Sequence, residues 1–81
     1  MVTIDQVATA SGVTYGVAAK WLREPFAIRA ILGPASQKGG YRKLFMLADV
    51  VPRIRDHLAR RGTPHHQITN IVHKIIQESL K

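Results

Sequence analysis

Lys20 and Arg23 stand about one helical turn apart, and either side chain can reach a guanine edge or a phosphate oxygen. Thr14 and Tyr15 precede them, and hydroxyls with free backbone N–H groups at a helix start can meet phosphate oxygens. Gly16 and Ala19 lie between and are small enough for another surface to come close. Further on, Lys38, Arg42 and Lys43 sit in a stretch, residues 25–47, that also holds Arg29 and contains no Asp or Glu. These residue types are ligands for a polyanion. Singly, each is also what any solvated surface carries. Their combination with the order of the elements below points to nucleic acid.

The whole chain has the same bias. Its 81 residues carry twelve Lys and Arg against five Asp and Glu, a formal charge of +7. Such an excess favours a polyanionic partner or fast association with one. The length fits one small domain, residues 1–81, whose core is marginal alone. There is no cysteine, so disulfides are excluded. No apolar run approaches the roughly 18 residues of a membrane span. No basic segment followed by an apolar one opens the chain. A cytoplasmic protein without a membrane partner is expected.

Enzymatic chemistry has little to work with. An activated nucleophile, a positioned base and a pocket are the usual requirements. The run Gly33–Gly40, GPASQKGG, lacks the Gly-Lys-Ser/Thr ending of a phosphate-binding loop before a helix. His65 or His66 could share a face with His73, but no cysteine or carboxylate offers a third ligand, and His57 is not placed near them by spacing. No metal and no cofactor are expected, and the His65-His66 pair is expected on the exposed first turn of a helix.

The elements that must hold these residues follow from capping and periodicity. Thr3–Arg23 reads as two short helices about a turn at Ser11-Gly12-Val13. The first runs from about Ile4 to Ala10, with Thr3 as N-cap and Gln6 completing a capping box. Gly12 suits the left-handed residue that ends it. Thr14 caps the second helix, in which Val17, Ala18, Trp21 and Leu22 are expected to point inward. Tyr15, Gly16, Ala19, Lys20 and Arg23 then face outward. Trp21 reads as core rather than as a base-stacking residue. Pro25 stops the helix.

Ala27–Leu32 and Tyr41–Met46 read as strands of a hairpin with a long basic loop. A third helix is expected over Val50–Arg61, buried through Val50, Val51, Ile54 and Leu58. Asp49 as its N-cap would put Pro52 at the third helical position, where proline is tolerated. Arg60 and Arg61 complement its dipole, and Gly62 follows as the left-handed residue. A fourth helix is expected to start from Thr63 as N-cap with Pro64 first. Its stripe of Ile68, Ile71, Val72 and Ile75 should pack within the chain. Ile76 and Leu80 should remain for a partner subunit, giving a homodimer or head-to-tail association on DNA.

The opening TIDQVATASGV, Trp21-Leu22, Gly40-Tyr41-Arg42 followed by Phe45, Ala48-Asp49-Val50 and Arg61-Gly62 occur in the order helix, turn, helix, hairpin, helix, helix. Over about residues 3–76 this resembles the winged helix-turn-helix of the MerR family and the related phage excisionases. The segment between Trp21 and Tyr41 is longer than the short MerR wing. Leu47 stands where that family places a polar cap. The long coiled coil, the effector domain and the cysteine ligands of the metal sensors have no counterpart within these 81 residues.

The resemblance implies a mainly α fold with a small β-hairpin. It implies sequence-specific binding of double-stranded DNA, with a recognition helix at about 14–23 and a wing at about 27–46. The implied roles are a phage- or plasmid-type excisionase (a recombination directionality factor acting beside a recombinase) or a compact transcriptional regulator. An antitoxin or adaptor that docks through the fourth helix is the alternative, as is an RNA-binding module. For RNA, only Tyr15 and Tyr41 would supply surface aromatics.

Overall fold

The computed structural model describes residues 1–35 and 41–80. The protein is mainly helical, with one small antiparallel sheet. Its elements in chain order are α1 (Ile4–Ser11), α2 (Tyr15–Arg23), β1 (Ala30–Ala35), β2 (Tyr41–Phe45), α3 (Leu47–Arg60) and α4 (His65–Ser79).

Local capping decides the first two helices. The Thr3 hydroxyl accepts from the Gln6 N–H at 3.2 Å, and the Gln6 side-chain oxygen accepts from the Thr3 N–H at 2.9 Å. This is the expected capping box. The Gln6 amide also donates to the Glu78 carbonyl at 2.9 Å, which ties the start of α1 to the end of α4. Gly12 takes φ 70°, so the chain reverses at a residue without a Cβ clash. Thr14 then caps α2 by accepting from the Val17 N–H at 3.3 Å.

The core gathers one face from each helix. Val7 of α1, Ala18 and Leu22 of α2, Ile54 of α3 and Ile75 of α4 are all buried, and Trp21 is only 6% exposed. Val2 lies ahead of α1 and bridges to β2, its N–H donating to the Phe45 carbonyl at 2.9 Å and its carbonyl accepting from the Phe45 N–H at 2.8 Å. The chain's first residues therefore hold the base of the hairpin against the helical core. Within the hairpin Ala30 faces Phe45, Ile31 faces Leu44 and Leu32 faces Lys43, with an irregularity before Ala35 meets Tyr41.

Several sequence expectations are corrected. Val17 was expected inward but is 37% exposed. Its helix has α1 and α3 as neighbours and buries only the narrow arc of Ala18, Trp21 and Leu22. β1 begins at Ala30 rather than Ala27 and runs on to Ala35, because residues 25–29 form a loop held to α3. β2 ends at Phe45, since the Met46 carbonyl already accepts from the Asp49 and Val50 N–H groups.

The third helix therefore starts at Leu47, not Val50. Met46 is its N-cap, and Asp49 sits in its first turn instead of capping it. Half-buried Leu47 packs on the core and draws that extra turn into the helix. Pro52 becomes the sixth helical residue, and the Ala48 carbonyl loses its usual i+4 donor. α4 starts at His65 with Pro64 as N-cap, not Thr63. The Thr63 N–H is already used, donating to the Leu58 carbonyl at 3.0 Å, and with Gly62 at φ 81° it closes α3 in a Schellman-type turn.

On α4 the division of the apolar stripe follows the expectation. Ile68, Val72 and Ile75 are buried, and Ile71 is half-buried against them. Ile76 and Leu80 are 39% and 82% exposed. His65 and His66 lie exposed in the first turn.

Trp21 fills the junction of α2 and α3, so Trp21→Ala is expected to cost about 3–5 kcal/mol of stability. Urea denaturation followed by far-UV circular dichroism measures it. A variant that unfolds within about 1 kcal/mol of wild type would place Trp21 outside the core.

Candidate nucleic-acid interface

α2 turns about 100° per residue, so the side opposite Ala18, Trp21 and Leu22 carries Gly16, Lys20 and Arg23. All three are exposed, with Tyr15 and Val17 exposed on either flank. The helix thus presents a ridge of two cations and a glycine. A concavity runs along each side of it.

On the hairpin side a cleft of 310 Å³ is lined by Tyr15, Gly16, Ala19, Arg23 and Lys43, with Leu22 and Phe45 deeper in. On the other side an open cleft of 960 Å³ is lined by Thr14, Val17, Lys20, Trp21, Arg60 and Arg61. Cations stand at both: Arg23 and Lys43 at the first, Lys20, Arg60 and Arg61 at the second.

The structure therefore groups Tyr15, Gly16, Ala19, Arg23 and Lys43 about one cleft and Thr14 and Lys20 about the other. Arg42 belongs to β2. Lys38 lies outside the described residues, as does the Arg42 side chain.

The orientation of α2 is set at its C-terminal end by α3. Arg53 is only 8% exposed. Its Nη1 donates to the Trp21 carbonyl at 3.1 Å and to the Glu24 and Phe26 carbonyls, each at 2.7 Å. The His57 Nε2 lies 3.1 Å from both the Trp21 and the Glu24 carbonyl oxygens and donates to them in its Nε2–H form. The imidazole stacks on Trp21, with ring centroids 5.7 Å apart and planes inclined by 13°. The Arg61 guanidinium lies 5.5 Å from the Trp21 ring centroid, and that of Arg53 lies 4.5 Å from the Phe26 ring centroid.

A helix ends with carbonyls that have no intrahelical donor, and its C-terminus carries partial negative charge. Arg53 answers both needs. Its own burial is made tolerable by the same carbonyl dipoles. The exposed Asp56–Arg60 pair at 3.3 Å contributes little by comparison.

Sequence reading missed four residues here. Arg53 and His57 hold α2, and Arg60 and Arg61 line the second cleft. The available signal was their spacing: Arg53, His57 and Arg61 recur every four residues and share one side of the third helix. Among the described residues, no group of three His, Cys, Asp or Glu side chains could hold a metal ion, and no helix is long and apolar enough to cross a membrane. Comparison with family models, curated proteins and solved structures found no match. The functional reading therefore rests on geometry and charge.

Arg53→Met removes the donor to three carbonyls and is expected to destabilise the fold by about 2–4 kcal/mol. Exposed Arg61→Gln should stay within about 0.5 kcal/mol of wild type. Urea titration of both variants measures this. Equal stabilities would show that the Arg53 hydrogen bonds hold nothing in place.

Proposed function

We propose that this protein binds double-stranded DNA with sequence preference, as a winged helix-turn-helix of the MerR and excisionase kind. α2 would enter the major groove, and the hairpin would grip the adjacent backbone. One observation carries this reading: the exposed ridge of Gly16, Lys20 and Arg23 runs between two clefts that both have cations at their edges. A net charge of +7 supports it. In a major groove the ridge, with Val17 on its flank, would meet base edges, and Lys43, Arg60 and Arg61, which line the clefts, would meet the phosphates that border the groove.

Arg23 and Lys20 are the proposed readers of base edges. Lys43, Arg60 and Arg61 are the proposed phosphate ligands. Control of a promoter and excision of a mobile element beside a recombinase are the two roles proposed, both in the cytoplasm. Ile76 and Leu80, exposed at the end of α4, are the proposed contact with a second copy on a longer site.

Selection from random duplexes followed by fluorescence anisotropy tests the reading. Three phosphate contacts from Lys43, Arg60 and Arg61 imply a slope of log affinity against log salt of about −3. Arg23→Ala should relax preference at one or two base pairs and cost about 1–3 kcal/mol of binding. Lys43→Ala should weaken all sequences alike. A slope near zero, or a selection that returns no preferred sequence, overturns the proposal.

Gly16 offers a second test. A Cβ built there meets nothing within 4 Å, and its φ is not left-handed, so the protein's own packing does not require glycine. Gly16→Ala should therefore stabilise the free protein by about 0.4–1 kcal/mol. It should also weaken duplex binding, because the added methyl stands between helix and groove. Thermal melting and anisotropy on one preparation measure both. An alanine variant that binds at least as well as wild type would remove close approach at Gly16 from the interface.

A further inference from the structure

Val17 lies outside the core beneath α2. It is 37% exposed, while the core beneath α2 is made by Ala18, Trp21 and Leu22. Valine is a poorer helix former than alanine. Its position is nonetheless tightly defined. Its N–H is held by the Thr14 hydroxyl at 3.3 Å in the first turn of the helix. A β-branched side chain in a helix keeps essentially one rotamer, so the direction of its methyl groups is fixed. Thr14 and Lys20 line the same cleft on either side of it.

A rigid aliphatic knob between a hydroxyl and an ammonium suits a surface that is apolar at one point and polar around it. A base edge in the major groove has this character where a pyrimidine carries a 5-methyl group. Lys20 follows Val17 by three residues, so the two are neighbours on the helix surface, about 5–6 Å apart at Cβ. Stacked base pairs are about 3.4 Å apart, so that separation spans between one and two base-pair steps.

Resting on the DNA-binding reading above, we infer that Val17 is a specificity-determining residue. It reads a pyrimidine 5-methyl group in the major groove, within two base-pair steps of the base edge that Lys20 meets. Thymine and 5-methylcytosine present the same methyl group at the same place, so the chemistry recognised is the methyl and not the rest of the base.

The test uses the full chain and the duplex preferred in the selection. Each thymine is replaced in turn by uracil, which removes only the 5-methyl group. Wild type should lose roughly three- to tenfold in affinity at one thymine, the scale of one lost apolar contact. Val17→Ala should bind the thymine and uracil duplexes alike, with unchanged helicity and melting temperature. At that position, a C·G pair should bind more tightly when the cytosine carries a 5-methyl group. A response to uracil with none to 5-methylcytosine assigns the contact to thymine alone and overturns the general methyl assignment.

Wild type indifferent to uracil at every position, or Val17→Ala retaining the full discrimination, refutes the role of Val17 and leaves sequence-specific binding intact. Wild type with no preferred duplex refutes the DNA reading and this inference together.

Discussion

Arg53 is only 8% exposed, and the candidate interface depends on how that charge is compensated. The compensation comes from the carbonyls at the end of α2 and in the loop beyond it. A buried guanidinium without acceptors would cost several kcal/mol, and the unpaired carbonyls would add to that. Both problems are solved by one geometry, with the end of α2 lying against Arg53 and His57. A different tilt or rotation of α2 would break several hydrogen bonds at once. The identity of the outward residues follows from that lock. With Trp21 trapped between the core and the His57 ring, Gly16, Lys20 and Arg23 can only face away.

The other half of the interface is fixed from a different part of the chain. A two-stranded hairpin is marginal by itself in water. Here the Val2 bridge adds backbone hydrogen bonds at Phe45, and Phe45 is buried in the common core. Lys43 stands two residues before that anchor, so it is placed by the same contact. Hairpin and helix are thus referred to one core from opposite ends, α2 through α3 and β2 through the N-terminal strand segment. A surface that must match the fixed repeat of a duplex needs such placement, because geometry fixed in advance spares the ordering cost on binding.

Legibility in the sequence divides along the range of the interactions. The capping box of Thr3 and Gln6, the Thr14 cap and the left-handed Gly12 and Gly62 were readable, because each is encoded within about four residues. The core position of Trp21 was readable from helical periodicity. The start of α3 was not, since the burial of Leu47 extends the helix past its better cap at Asp49. The start of α4 was not, since the extended Pro64, whose carbonyl accepts from the Gln67 and Ile68 N–H groups, takes the cap position one residue later. Val17 was misplaced because periodicity gives the apolar arc of a helix but not how much of it neighbours will cover. The Arg53 clamp was invisible for a related reason. Its partners lie 27 to 32 residues away and are carbonyls, which every residue has.

The distribution of stabilising interactions along α2 bears on what its exposed face is for. A helix of nine residues is marginal by its own propensity. This one nevertheless carries Gly16 and Val17 in its first turn, both poorer helix formers than alanine. Its stability is supplied at the ends, by the Thr14 cap at one and by Arg53 and His57 at the other, and on the buried side by Ala18, Trp21 and Leu22. The exposed side is thereby released from any structural duty. Residues there can be chosen for what they meet rather than for what they hold together. Had Gly16 been needed for close packing, or Val17 for the core, neither would point to a ligand. The absence of an internal reason for Gly16, on the ridge that also carries Lys20 and Arg23 and beside Val17 on its flank, turns an ordinary surface helix into a candidate recognition element.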